Sequence, residues 1–420
     1  MKTLIVFFLG ASCAAFSQST ILAIKCGRLI DGISDKPIIN AVVLVENDRI
    51  RDVGQNLKIP EGAKVIDLSQ STVLPGLIDS HTHLLLHGGS YDDQILKESQ
   101  AYRTILGTVA ARRTLEAGFT TIRDVETEGA MYADVALRDA INKGVIPGPR
   151  IFASTRSLSI TGGYAPYGYA IDVPYGSQLA DGVEGVTKAV REQIQFGADW
   201  IKIYGDSRYR HRVADSLVGS ATFNDDELKA IVYESEKVGI HVCAHCYTSE
   251  AARRALRAGV KSIEHGLYLD NETFRLMKEK AAYWVPTLIA YAHWAEDPTN
   301  SPEVKRMVDY SVTCHKETFA RGLKSGVKIA FGSDYYDPHG EGTKEFALMV
   351  EYGMPPMKAI QSATSVAAEL LDWQDRIGSI TSGKIADIVA VEGNPLENIR
   401  TLEQVQFVMK GGTVYKNAIH

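Results

Sequence analysis

A chain of 420 residues with 45% hydrophobic and 23% charged residues can bury a large core, and its length suggests two or three domains. The formal net charge of -6, with no stripe of lysine and arginine, gives no electrostatic reason to expect nucleic acid and leaves a small or neutral substrate. After the first residues no segment has the roughly 18 uninterrupted apolar residues of a membrane span.

The opening stretch, MKTLIVFFLGASCAAFSQS, sets Lys2 ahead of an apolar run from Leu4 to Phe16, with small residues behind it. This is the layout of a secretory signal peptide, residues 1–17, cleaved between Ser17 and Gln18 with Ala15 and Ser17 in the small positions. The alternative is lipid attachment at Cys13 in LGASC. The mature chain is therefore expected in the periplasm or secreted. Its remaining cysteines, Cys26, Cys243, Cys246 and Cys314, permit disulfides, but a chain this long is held by its core. CAHC at 243–246 does not read as a zinc ribbon: no second such pair exists, and on a strand Cys243 and Cys246 face opposite sides.

Residues 18–75 read as short strands and turns (ILAIKCGRLIDG, AVVLVENDRIRDVG, AKVIDLSQSTVLPG). The tail, residues 376–420, repeats that style in GKIADIVAVEG and VQFVMKGGTVYKN, so the two segments are expected to meet as one small β-sandwich. Between them, residues 76–375 alternate apolar strands with amphipathic helices, the pattern of parallel βαβ units. Strand candidates fall at 76–81, 120–125, 150–155, 199–205, 241–246, 262–266, 283–288 and 328–334. Eight strands, each followed by a helical segment such as DDELKAIVYESEKVG or EAARRALRAG, predict an α/β fold, a (β/α)8 TIM-like barrel. The long connections at 156–181 and 205–222 are candidate active-site loops.

In such a barrel the chemistry sits at the carboxyl ends of the strands, and here those ends carry polar residues where a core wants apolar ones. His81 and His83 end strand one, Lys202 lies in strand four, His245 ends strand five, His265 strand six and Asp334 strand eight. The i, i+2 spacing of His81 and His83 turns both imidazoles to one face, where they can grip one ion. Each has an ordinary reading: a hydrogen-bonded strand-end histidine, a helix-capping Asp334, a snorkelling Lys202. Their joint occurrence on separate strands favours a metal centre. An ammonium facing a cation would be repelled, but a buried lysine deprotonates readily and its neutral amine takes up carbon dioxide, giving a carbamate able to bridge two ions.

The order HxH, Lys, His, His, Asp, with VLPGLIDSHTH, AGVKSIEHG, FGSD and GKIADIVAVEGNPL, resembles the amidohydrolase superfamily over nearly all of the mature chain. Within it these motifs are similar to the imidazolonepropionase-like branch that includes Xaa-Pro dipeptidases and ochratoxin-type amide hydrolases. The resemblance implies two divalent metal ions, in the first instance zinc: His81, His83 and Asp334 on one, His245 and His265 on the other, carboxylated Lys202 between them. The family's frequent second histidine in a strand-five HAHG motif is replaced here by Tyr247 in HCYT, which is two residues beyond His245 and is either a donor to the substrate carbonyl or a packing residue.

The implied chemistry is attack by a metal-bridging hydroxide on an amide or peptide bond of a dipeptide or N-acyl amino acid, with Asp334 as the base that moves the water proton to the leaving amine. A substrate carboxylate calls for a cation, and GDSRYRHR offers Arg208, Arg210, His211 and Arg212. Tyr164 in SITGGYAPYGY is a candidate lid residue, and His293 with Trp294 follows strand seven at the same mouth. The rival within the superfamily is cyclic-amide hydrolysis, as in imidazolonepropionase; those enzymes resemble a one-metal design, against which WIKIY speaks. A non-catalytic binding protein is the remaining alternative. A homo-oligomer is compatible with the resemblance, and no residue decides its order.

Overall fold

Two short apolar segments far apart in sequence build the first sheet. The computed structural model describes residues 21–166, 168–170, 172–206 and 219–419. The expected signal peptide and Cys13 lie outside them. Strands β1 (Ile21–Leu29), β2 (Ile38–Glu46), β3 (Arg49–Gln55) and β4 (Lys64–Pro75) come from the N-terminal segment. After them the chain runs through β5 (Leu77–Thr82), β6 (Phe119–Asp124), β7 (Arg150–Ala153), β8 (Leu158–Ser159) and β9 (Gln178–Leu179). It continues through β10 (Trp200–Tyr204), β11 (His241–Thr248), β12 (Ser262–Tyr268), β13 (Tyr283–Val285) and β14 (Lys328–Ile329), and closes with β15 (Ile388–Glu392), β16 (Val405–Lys410) and β17 (Thr413–Asn417).

The two terminal segments share one seven-stranded sheet in the order β17-β16-β15-β4-β1-β2-β3. Strand β4 is its seam, parallel to β1 and antiparallel to β15. Alternating apolar residues fill one core: Ile24, Val43, Val73, Ile388, Phe407 and Met409 are all fully buried there. The β2-β3 connection is two residues long and takes Asn47 at φ +57°, a left-handed value that asparagine tolerates. That hairpin is also hydrogen-bonded back to the tail, Ile50 N–H to the Lys384 carbonyl and Ala386 N–H to that of Asp48, each at 2.8 Å.

The middle of the chain is α/β with parallel strands. One sheet runs β14-β13-β12-β11-β10-β8-β9 and a second runs β5-β6-β7. Backbone hydrogen bonds span both gaps: Asp199 N–H to the Ala153 carbonyl at 2.7 Å on one side, Ser80 N–H to Phe331 at 2.9 Å and Asp334 N–H to His81 at 2.8 Å on the other. All eight expected strands form, with two differences in extent. The seventh stops at Val285, because Thr287 turns left-handed at φ +53° and the helix Leu288–Glu296 follows. The eighth pairs regularly only over Lys328–Ile329. Strands β8 and β9 are short additions inside the long 156–181 connection.

Helices cover the outer faces. In Ser249–Ala258 the buried residues Ala251, Ala252, Ala255 and Leu256 follow helical spacing; the Thr248 side chain caps the start and Gly259, at φ +106°, ends it. Cys243 and Cys246 do face opposite sides: Cys243 packs with Ile78, Trp200 and Val285, whereas Cys246 packs with Ala244 and Leu256 beneath the helices, and neither is in a disulfide. Among the described residues, no helix is long and apolar enough to cross a membrane.

A single residue, Gly76, separates β4 from β5, and a Cβ there would lie 2.2 Å from Thr120 Oγ1. Gly76→Ala is expected to lower stability by about 2 kcal/mol through forced displacement of β6, read as a shift in the urea unfolding midpoint. An unchanged midpoint would show that the junction has slack.

Candidate metal centre and active site

The side chains singled out at the strand ends surround one cavity of about 670 Å³, a size ordinary for a small-molecule site. His81 comes from β5 and His83 from the residue after it, Lys202 from β10, His245 from β11, His265 from β12, and Asp334 from the segment after β14. The imidazoles stand ring to ring: His81 and His83 at 5.3 Å between centroids, His81 and His265 at 4.8 Å, His245 and His265 at 4.5 Å. The Asp334 carboxylate reaches all three of its neighbours, with Oδ1 3.2 Å from His83 Nε2 and 3.9 Å from His81 Nε2, and Oδ2 3.8 Å from His265 Nδ1.

Three of the four imidazoles have a second group beside Nδ1. The His81 Nδ1 proton goes to Glu264 Oε2 at 2.7 Å, since a carboxylate partner requires a donor nitrogen, and Nε2 keeps its lone pair. Glu264 is held in turn by Arg123, whose Nη2 donates to Oε1 at 2.8 Å while Nε donates to the Ser80 carbonyl at 2.7 Å. Neither member of that ion pair touches water. His83 Nδ1 lies 3.3 Å from the Glu126 carbonyl, and His265 Nδ1 lies 2.8 Å from the Thr287 hydroxyl. Asp79 ties β5 to the chain after β14, accepting from the His81 and Ser333 amides at 3.0 Å each and from Ser333 Oγ at 2.6 Å. Asp206 steadies the end of β11 by accepting the Tyr247 and Thr248 amides at 2.8 Å each. Burial pushes the Asp206 carboxyl up to about 7, against those hydrogen bonds.

Regular alternation would send Glu264 and His265 to opposite faces, yet both serve this site. The reason is local: His265 has φ +67°, outside the strand conformation. Its carbonyl accepts Trp284 Nε1 at 2.9 Å and lies 3.1 Å from His315 Nε2, which anchors the turned peptide. Asp334 is likewise left-handed, at φ +50°.

Two observations bear on whether these groups suit cations. His81 Nε2 is buried with no hydrogen-bond partner among the described residues, and burial together with the nearby Lys202 pushes this imidazole well below its ordinary pKa, so it presents a neutral lone pair. Burial alone would raise the Asp334 carboxyl, but His81, His83 and Lys202 hold it below the ordinary value, so it stays a carboxylate. Together with His83 these are a ligand-competent set. Lys202 is 1% exposed, its Nζ is 5.7 Å from the Tyr204 ring centre, and among the described residues no carboxylate forms an ion pair with it.

The other candidates divide. Tyr247 is buried on the cavity wall with its ring 4.4 Å from that of His245. Tyr164 lines the same wall, its hydroxyl 3.3 Å from Glu128 Oε1, and His293 stands at the mouth, 4.9 Å from the Tyr335 ring. Arg208, Arg210 and His211, with Arg212, lie outside the described residues. Sequence reasoning passed over Arg123, Glu264, Asp206 and Glu128. Only the acidic run DVETE after β6 and the Glu-His pair in SIEHG signal any of them.

Parallel strands that deliver four imidazoles, a lysine and a carboxylate to one cavity define an α/β enzyme with a candidate metal centre. The chain belongs to the amidohydrolase family, whose sequence profile matches residues 72–415. It is 32% identical over 440 aligned residues to ochratoxinase of Aspergillus niger, covering 96% of this chain and 88% of that one. A solved Xaa-Pro dipeptidase with methionine bound in its active site superposes with a TM-score of 0.87 at 38% identity, over 95% of this chain and 100% of that one. A prolidase complexed with N-methylphosphonate-L-proline gives 0.86 at 33% identity, over 95% and 100%. The family resemblance read from the motifs therefore holds, and with it the coarse activity of an amide-hydrolysing enzyme.

Glu264→Gln removes the charge that Arg123 and His81 share. It is expected to destabilise the fold by about 3 kcal/mol, the cost of stranding a buried guanidinium, measured by chemical denaturation. A wild-type unfolding curve would mean that Glu264 does not brace β5 and β6 against β12.

Proposed function

We propose that this protein is a binuclear metal-dependent amidase of the dipeptidase kind, cleaving an amide or peptide bond of a dipeptide or N-acyl amino acid. The observation that carries this reading is Lys202, a buried amine among four imidazoles and Asp334 with no ion-pair partner among the described residues. The ochratoxinase and Xaa-Pro dipeptidase relatives support the choice of bond.

His81, His83 and Asp334 would hold one divalent cation and His245 and His265 the other, zinc being the natural guest for imidazole and carboxylate ligands. The Lys202 amine, on adding to carbon dioxide with loss of one proton, would offer a carbamate as a further anionic ligand for the cations. Bound there, the cations polarise the scissile carbonyl and lower the pKa of water. The protein's own groups then handle protons and position. Asp334 accepts the proton of the attacking water and passes it to the leaving nitrogen. Tyr247, fixed by the Asp206 bond to its amide, offers its hydroxyl to the carbonyl oxygen.

The same reading treats the two parallel sheets of residues 76–375 as one (β/α)8 barrel, which the bonds from Asp199 to Ala153 and from Ser80 to Phe331 support. Residues 18–75 and 376–420 then form a β-sandwich, with the bonds from the β2-β3 hairpin to residues 384–386 favouring a sheet folded on itself. A signal peptide over residues 1–17 would export the enzyme.

Asp334→Asn should retain the wild-type unfolding midpoint and lose about three orders of magnitude or more in kcat, assayed with a panel of dipeptides and N-acyl amino acids. Wild-type turnover in that variant would remove Asp334 from proton transfer. Elemental analysis should find about two divalent ions per chain, and chelation should abolish activity that zinc with bicarbonate restores. One ion per chain would favour the single-metal, cyclic-amide alternative.

A further inference from the structure

Beside the His81, His83 and Asp334 set the cavity wall carries a further carboxylate that the proposed mechanism does not use, Glu128, whose oxygens lie close to ligand atoms of His83 and Glu126. Glu128 lies four residues beyond β6, in the left-handed conformation at φ +49°. That conformation is built in: the buried Arg103 donates to the backbone carbonyls of Leu85, Thr127 and Glu128, and not to the carboxylate. The loop so pinned sends the Glu128 side chain into the cavity, where it is 3% exposed.

Its neighbours there are phenols. Tyr91 donates to Oε2, and the Tyr164 hydroxyl lies 3.3 Å from Oε1. Tyr164 stacks on Tyr204 at 3.9 Å between ring centres, and Tyr204 donates its own hydroxyl to the neighbouring buried carboxylate of Glu126, so two tyrosines bond Glu128 and a third closes the aromatic wall. Phenol donors orient a carboxylate without neutralising it, and among the described residues the one nitrogen at ion-pair distance, His83 Nδ1 at 3.8 Å, belongs to a candidate ligand. A buried anion beside aromatic faces is the chemical complement of an ammonium group. The contact with His83 sets that group one side chain away from the candidate centre. An amino acid's α-ammonium stands one carbon from its carbonyl, which suits this placement.

We infer that Glu128, framed by Tyr91 and Tyr164, binds the free α-ammonium of the residue whose carbonyl is cleaved, so that the substrates are dipeptides with a free amino terminus and not N-acyl amino acids. This rests on the amidase reading above and narrows it. Glu128 is then a specificity residue, whereas a purely structural Glu128 would only orient His83.

The test compares substrates that differ in one group: paired libraries of Ala-Yaa dipeptides and propionyl-Yaa amides, with 6-aminohexanoyl-Yaa amides carrying the ammonium at a side-chain end. The metal-loaded wild-type enzyme is expected to favour alanyl over propionyl substrates by about 100-fold in kcat/KM. Glu128→Gln should bring that ratio to roughly 1, mainly through a higher KM for the alanyl member, and Glu128→Asp should recover part of it. Turnover of both libraries without an alanyl preference overturns the inference and leaves the amidase intact; so does a preference for 6-aminohexanoyl over alanyl substrates. A Glu128→Gln enzyme that loses both activities in proportion assigns Glu128 to positioning His83 and also overturns it. If neither library is hydrolysed, the amidase reading fails and takes this inference with it. Should Glu128→Gln not fold, the wild-type ratios decide alone.

Discussion

A carboxylate sealed between a guanidinium and an imidazole sets the orientation of the whole site. Glu264 receives Arg123 on one oxygen and His81 on the other, and none of the three is exposed to more than a trace of water. Charges that deep cannot be left half-paired, so the geometry of β5, β6 and β12 is fixed jointly by one hydrogen-bonded line. Asp79 repeats the device between β5 and the chain after β14. The candidate ligands therefore stand on a frame whose polar contacts are made by residues behind the cavity wall.

That frame is obtained by breaking regular structure at chosen points. Thr155, His265, Thr287 and Asp334 all have positive φ without being glycine; His265 lies within β12 and the other three follow parallel strands. A left-handed residue ends the alternation of side chains, which lets β12 contribute two successive residues to one side. Anchors such as Trp284 and His315 on the His265 carbonyl compensate for the local strain.

Strand period and helix spacing carry over to three dimensions because they reflect burial, and burial is a property of each segment in turn. For that reason all eight central strands were legible, and so was the convergence of His81, His83, Lys202, His245, His265 and Asp334 at their carboxyl ends. What escaped is what depends on partners distant in sequence. Glu264 looks outward by alternation until the backbone of His265 is known. Glu128 and Asp206 look like loop acids until Tyr164 and the end of β11 are placed against them. The early stop of β13 follows from one torsion at Thr287, which no composition predicts.

The seam of the terminal sheet couples chain ends to chemistry. Strand β4 has β1 on one side and β15 on the other, and only Gly76 intervenes before the strand that bears His81. Cutting the chain after Asp387 would strip one flank of β4 and leave its amides and carbonyls as an open template for other strands. The last thirty or so residues thus act as a tether on the first imidazole, some three hundred positions away.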